Sequence, residues 1–160
     1  MHVKLAALAL ASAALAGCAG SPCGATEATV TRIVDGDTVE LDDGRKVRYL
    51  LVDTPESTNG ATDCFGQEAK QFNSDLVLNK KVELSYDVEC TDRYGRTLAY
   101  VVVDGREVNS LMVQRGYGCV LHISPDGDSR FDEFKALQLD AMSANRGLWG
   151  ACNPLPPACN

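Results

Sequence analysis

The heptapeptide KVRYLLV, residues 46–52, constrains the fold of this chain more than any other stretch. Val47, Tyr49 and Leu51 are apolar on one parity of a strand, and Leu50 and Val52 on the other. Such a strand is covered on both faces, and it carries Arg48 into the covered region. A buried guanidinium without a partner is costly, so an anion lies near it. The run stops at Asp53-Thr54-Pro55-Glu56. Pro55 fixes its own φ and holds Thr54 extended, which sets Asp53 and Glu56 rigidly around one turn. Each feature has an ordinary explanation when taken alone. A lone strand arginine is mostly in a structural ion pair, and Asp and Pro favour turns in any case.

Around this stretch the pattern predicts an α+β order. Strands are expected at 30–34, 38–41, 46–52, 82–87 and 96–103, with a strand-like run at 119–123. A helix over 66–79 presents Ala69, Phe72, Leu76 and Asn79 as one stripe. A short helix over 107–116 turns Val108, Leu111 and Met112 inward and stops at Gly116. Ser129 with Asp132 has the spacing of a capping box for a last helix over 130–146. Five short strands with one intervening helix suit a small Greek-key barrel of the OB type, and the expected fold is a five-stranded OB barrel with three α-helices.

The ends of the chain read as processing segments. Residues 1–17 have a basic start at Lys4, an apolar run too short to span a bilayer, and a small-residue close. Leu15-Ala16-Gly17-Cys18 resembles the bacterial lipobox, which implies acylation of Cys18. Residues 18–28 then form a tether, 29–150 the folded domain, and 151–160 a Pro/Cys tail whose NPLPPACN stretch is expected to be loop. The chain is expected to cross the inner membrane and to be held by lipid on the cell envelope, at the outer membrane or cell surface. Seven cysteines are many for a reducing compartment and ordinary in an oxidising one. Without Cys18 the remainder is even, which implies three disulfides whose pairing the sequence leaves open. No close Cys-x-x-Cys or Cys/His cluster suggests zinc.

The mature chain retains one histidine, His122, because His2 leaves with the leader. Mechanisms that need a histidine pair are therefore excluded, and no G-x-S-x-G elbow marks a serine hydrolase. Chemistry here has to rest on carboxylates, arginines and a hard metal. Asp37 in the turn DGD (35–37) can offer a carboxylate, although DGD at 126–128 reads as a plain turn and lacks calcium-loop spacing. DRYGR (92–96) sets Arg96 at the head of a strand. The net charge of −7 disfavours tight nonspecific binding of nucleic acid.

Singly these signals are weak, but their order is specific. VDGDTVEL, VRYLLVDTPES, GQEA, DRYGRTLAYVVVDG, VNSLMVQRGYG and NRGLWG resemble, block for block, the staphylococcal-nuclease-like (thermonuclease) family from Val30 to Trp149. The resemblance implies an OB barrel with three helices and calcium-dependent hydrolysis of DNA and RNA, breaking the bond to the 5′ oxygen and leaving 3′-phosphates. It implies calcium at Asp37, Asp53 and the Thr54 carbonyl, Glu56 on the attacking water, and Arg48 and Arg96 on the phosphate. Arg93 and Tyr94 match nucleotide-flanking positions. His122 falls where the family has aromatic side chains; it is a candidate for stacking on a base and equally for a barrel-edge residue. The chain is expected to act as a monomer on DNA and RNA, with the membrane as partner through Cys18. The alternative is a noncatalytic nucleic-acid-binding lipoprotein on the same barrel. The expected disulfides are Cys64–Cys90 across the site loops, Cys119–Cys152 tying the barrel to the tail, and Cys23–Cys159 joining the ends.

Overall fold

A computed structural model describes residues 21–58 and 62–160. The expected signal segment and the lipidation site Cys18 lie outside the described residues. No helix among the described residues is long and apolar enough to cross a membrane.

Five strands close a mixed barrel. The first strand β1 (Glu27–Asp35) pairs antiparallel with β2 (Thr38–Leu41), and β2 with β3 (Lys46–Tyr49) through the hairpin turn Asp42–Arg45. Register irregularities between Val30 and Arg32, and between Ile33 and Asp35, bend β1. Bulges of this kind re-aim a strand, so the start of β1 also pairs with β4 (Lys81–Ser85), and β4 with β5 (Thr97–Val103). Parallel pairing of β3 with β5, Arg48 opposite Leu98, closes the ring. A two-residue strand β6 (Arg106–Glu107) extends β5.

Three helices cover the barrel: α1 (Gly66–Val77), α2 (Val108–Gln114) and α3 (Phe131–Ser143). A single turn, α4 (Leu148–Ala151), follows. The core joins Val39, Val47, Tyr49, Val82 and Val101 to Met112 and Phe134. The buried face of α1 carries Asn73, which accepts from the Tyr49 hydroxyl at 2.8 Å and donates to the Asp35 carbonyl at 3.2 Å. That side chain ties the helix to the turn bearing Asp37.

Four expectations are corrected. The strand over 46–52 ends at Tyr49; Leu50 and Leu51 turn, with Leu51 at φ 60°. Leu50, Leu51 and Val52 are buried all the same, because the turn itself is internal. Asn109 of α2 donates to the freed Leu50 carbonyl at 2.9 Å. The run 119–123 forms no strand, only a backbone pair of Cys119 with Asp53 and one of Ile123 with Asp126. Ser129 caps nothing: α3 starts after Arg130, which pairs with Glu107 and Glu133 at 2.7 and 2.8 Å. The tail, expected to be loop throughout, ends in a 3-10 turn at Pro157–Cys159.

The cysteines do form three disulfides, but Cys23–Cys90, Cys64–Cys152 and Cys119–Cys159 replace all three expected pairs. The reason is the path of the chain ends. Because β1 runs antiparallel to β4, the residues before Thr26 continue beside Tyr86, whose hydroxyl donates to the Ala25 carbonyl, and reach Cys90. At the other end, the Leu148 N–H donates to the Gly116 carbonyl at 2.9 Å. This seats Cys152 beside Cys119 and Phe65 in a small second core.

Candidate active site

Asp37 closes the tight turn between β1 and β2. One carboxylate oxygen accepts from the Thr54 N–H at 2.9 Å and from the Thr54 hydroxyl at 3.0 Å; the other accepts from Thr38 at 2.8 Å. Gly36 makes this approach possible, since a Cβ there would lie 2.7 Å from the Thr54 hydroxyl oxygen. Arg48 points into the space enclosed by the turn after β3. Its guanidinium meets Asp53 at 2.6 Å and Asp37 at 3.3 Å, and donates to the Tyr49 and Val52 carbonyls. The buried arginine thus has its anions, and they are the two carboxylates expected to hold metal.

Burial pushes the Asp53 carboxyl up to about 6; Asp37 and Glu56 add to the rise and Arg48 opposes it. Glu56 is exposed beside it. Partial burial and the facing Asp35 and Asp37 carboxylates raise it above its ordinary range, against a Thr58 hydroxyl at 3.3 Å. Three carboxylates, Asp37, Asp53 and Glu56, thus share this end of the cleft with one guanidinium, that of Arg48, a charge pattern that can take an added cation. Among the described residues no three acidic, histidine or cysteine side chains converge on one point. Asp37, Asp53 and the adjoining Thr54 are the hard-oxygen groups that would hold such a cation. This set fits calcium.

Arg96 stands on the opposite wall, on the hairpin before β5. Its Nε and Nη2 contact one Asp92 oxygen at 2.7 and 2.6 Å. The other Asp92 oxygen accepts the Tyr94 and Arg96 N–H groups at 2.9 and 3.0 Å. Burial raises the Asp92 carboxyl, but these backbone and guanidinium bonds outweigh it and hold it low. Tyr94 is 69% exposed; Arg93 donates to its hydroxyl at 2.7 Å and lies 4.8 Å from its ring centroid.

A cleft of about 790 Å³ brings together Asp37, Arg48, Asp53, Glu56, Arg93, Tyr94 and Arg96. Thr54 lies buried immediately beneath Asp37. His122 is not brought in. Its Nε2 pairs with Asp128 at 2.7 Å, and its ring stacks on Phe131 with centroids 4.5 Å apart. Leu121 and Ile123 line the cleft instead. The period-two alternation of extended backbone would have assigned 121 and 123 to one side and 122 to the other. Asp35, Lys46 and Asp92 also border the cleft or its walls, and sequence reading passed over them. Asp35 and Asp92 sit inside the DGD and DRYGR motifs, where their side chains bind their own turns.

Residues 46–151 match the family described as staphylococcal nuclease homologue. The chain is 36% identical over 127 residues to endonuclease YncB of Bacillus subtilis strain 168, covering 76% of this chain and 60% of that protein. It is 35% identical over 129 residues to the SPbeta prophage-derived endonuclease YokF of the same strain, covering 77% and 44%. A thermonuclease of Staphylococcus hyicus is 34% identical over 125 residues, covering 75% of this chain and 73% of the relative. The chain therefore spans about half the length of the two Bacillus relatives, between 44% and 60%. Its barrel, its clustered residues and this match together show that the chain belongs to the staphylococcal nuclease homologue family.

Proposed function

We propose that the chain is a calcium-dependent nuclease that hydrolyses phosphodiester bonds of DNA and RNA, breaking the bond to the 5′ oxygen and leaving 3′-phosphates. The observation that carries this reading is the convergence of Asp37, Arg48, Asp53, Glu56 and Arg96 on one cleft. A module that only binds nucleic acid has no use for a carboxylate base beside two carboxylates and two guanidiniums.

In this reading Asp37 and Asp53, with the Thr54 carbonyl, hold calcium. The bound ion supplies charge for the phosphate and helps orient it. Glu56, exposed at the cleft and raised above its ordinary range, accepts the proton of the attacking water. Arg48 and Arg96 meet the charge that grows on the phosphoryl oxygens, for which a guanidinium fork is suited. In the resting site Arg96 is paired with Asp92, so a phosphate competes with Asp92 for it. Arg93 and Tyr94 flank the nucleotide. Leu121 and Ile123, 39% and 67% exposed, offer an apolar wall to a base where the family has aromatics.

The protein acts as a monomer outside the cytoplasm, anchored to the envelope by lipid on Cys18. The three disulfides favour an oxidising compartment. Incubation with plasmid DNA and with RNA, in calcium or in chelator, tests the activity. Calcium-dependent cleavage lost in Glu56→Gln is expected; no cleavage by the parent chain, or full activity in the variant, defeats the reading. Labelled palmitate entering the parent but not Cys18→Ser tests the anchor.

A further inference from the structure

The Glu56 carboxylate is held by little of its own. It is exposed, and among the described residues its side chain accepts one hydrogen bond, from Thr58 at 3.3 Å. The backbone beneath it is held instead. The Glu56 N–H donates to the Asp63 carboxylate at 3.2 Å, and the Asp63 N–H donates to the Glu56 carbonyl at 2.9 Å. Helix α1 begins against this pair. A Cβ on Gly66 would lie 2.3 Å from the Glu56 carbonyl oxygen, and the Gly66 N–H donates to the Asp63 carbonyl at 3.0 Å. Between Asp63 and Gly66 stands Cys64, joined to Cys152. Cys152 is buried with Leu148 and Cys119 in the second core, and α4 is fastened to Gly116. An unbroken series of short links therefore runs from that core to the backbone of Glu56.

We propose that the Cys64–Cys152 disulfide, acting with Asp63, is a positioning device for Glu56, setting the base for the attacking water without touching substrate. The proposal rests on the reading of Glu56 as that base. A base works only within hydrogen-bond reach of its proton, and a displacement of about 1 Å costs on the order of a hundredfold in rate. Without the disulfide, the Glu56 segment is held by two hydrogen bonds to Asp63 and, through Ser57, by one to Asp35 at 2.7 Å and one from Gln67 at 3.4 Å, bonds of ordinary net strength whose local opening costs less than global unfolding. With it, opening has to drag α4 from its core. The other two disulfides end at the Cys90 hairpin and behind Asp53, on neighbouring segments of the site.

The test uses the full oxidised chain and measures kinetics and amide exchange well below the unfolding transition. In Cys64→Ser/Cys152→Ser, kcat falls about ten- to a hundredfold, while KM and the calcium half-saturation stay within about twofold. Exchange of the Asp63 amide speeds up by about tenfold or more, whereas Cys23→Ser/Cys90→Ser leaves that amide unchanged. Asp63→Ala lowers kcat in the same way, and Asp63→Asn restores most of it, because a carboxamide oxygen still accepts from the Glu56 N–H. An unchanged kcat, a loss confined to KM, or an unchanged Asp63 amide in the folded double variant overturns the proposal. Should that variant not fold, the Asp63 pair decides: equal kcat in Asp63→Ala and Asp63→Asn overturns it. If Glu56→Gln keeps full activity, the assignment of the base falls, and amide exchange alone then judges the brace.

Discussion

Two walls of one cleft are built on opposite principles. On the wall of Asp37, Arg48, Asp53 and Thr54, most groups are buried, and each is engaged by backbone or by another member of the set. At the rim beside it, Glu56, and on the facing wall Arg93, Tyr94 and Arg96, stand in or near solvent and are held by their own short loops. In the first, the proposed function and the stability rest on the same contacts. In the second, the groups proposed to carry the chemistry can be removed without touching the core, so their placement depends on turn geometry and on the disulfides behind the loops.

Arg48→Ala is the sharpest way to break the comparison, because it strikes both properties. It strands Asp37 and Asp53 in a poorly solvated turn and frees the Tyr49 and Val52 carbonyls. Removing one partner from a buried pair costs about 3–5 kcal/mol, and activity is expected to fall by roughly a thousandfold. Urea denaturation in chelator and initial rates in calcium read the two losses. Glu56→Gln is expected to separate them. The rate falls by about 10²–10⁴, while stability at neutral pH holds or rises within about 0.5 kcal/mol. The sign follows from the raised carboxyl of Glu56: the folded state disfavours its charge, and glutamine carries none.

Proton and calcium linkage sharpens the first wall further. Burial pushes the Asp53 carboxyl up to about 6 in the folded protein, against 3.8 for the ordinary carboxyl. The folded state thus binds the proton more tightly than the unfolded chain, so the contribution of Asp53 to stability is full below about 3.8 and is lost as pH rises through 6. On the proposed reading calcium would take the ionised form, which would reverse the trend. A hundredfold excess over its dissociation constant adds about 2.7 kcal/mol at pH 7.5 and much less at pH 5. Thermal melts with and without calcium at the two pH values check this; an equal calcium shift at both would remove Asp53 from the metal site. The smallest effect belongs to His122→Ala. It loses a partly exposed hydrogen bond to Asp128 and a stack on Phe131, worth about 1 kcal/mol. Rates are expected within about twofold of the parent, whereas Ile123→Ala weakens KM for single-stranded substrate.

How much was legible follows the same division. Arg48, Asp53, Thr54 and Glu56 lie within nine residues of one another, so local backbone constraint places them together, and the misfit of Arg48 in an apolar run was visible before any fold. The end of β3 at Tyr49 was not. A buried turn and a buried strand are equally apolar, and only the guanidinium taking the Tyr49 and Val52 carbonyls decides between them. His122 drew attention as a rare residue type, but the side on which a residue projects depends on the strand-like backbone of its neighbours and on where Asp128 and Phe131 come to rest. The disulfides failed most completely, since pairing depends on where two chain ends run.

What the sequence determined by itself is whatever short-range covalent geometry and residue chemistry impose. That includes a barrel-forming order of short strands and helices, a set of carboxylates and arginines almost without histidine, six cysteines besides Cys18, and the rigid turn at Pro55. What only the tertiary structure decided is which distant segments meet: Asp37 with Thr54 and Arg48, Arg96 across the cleft from Glu56, and Cys64 with Cys152. Those meetings depend on the bend in β1, the parallel closure of β3 on β5, and the return of α4 to Gly116. Each joins residues far apart in sequence, where loop closure rather than local preference sets the cost.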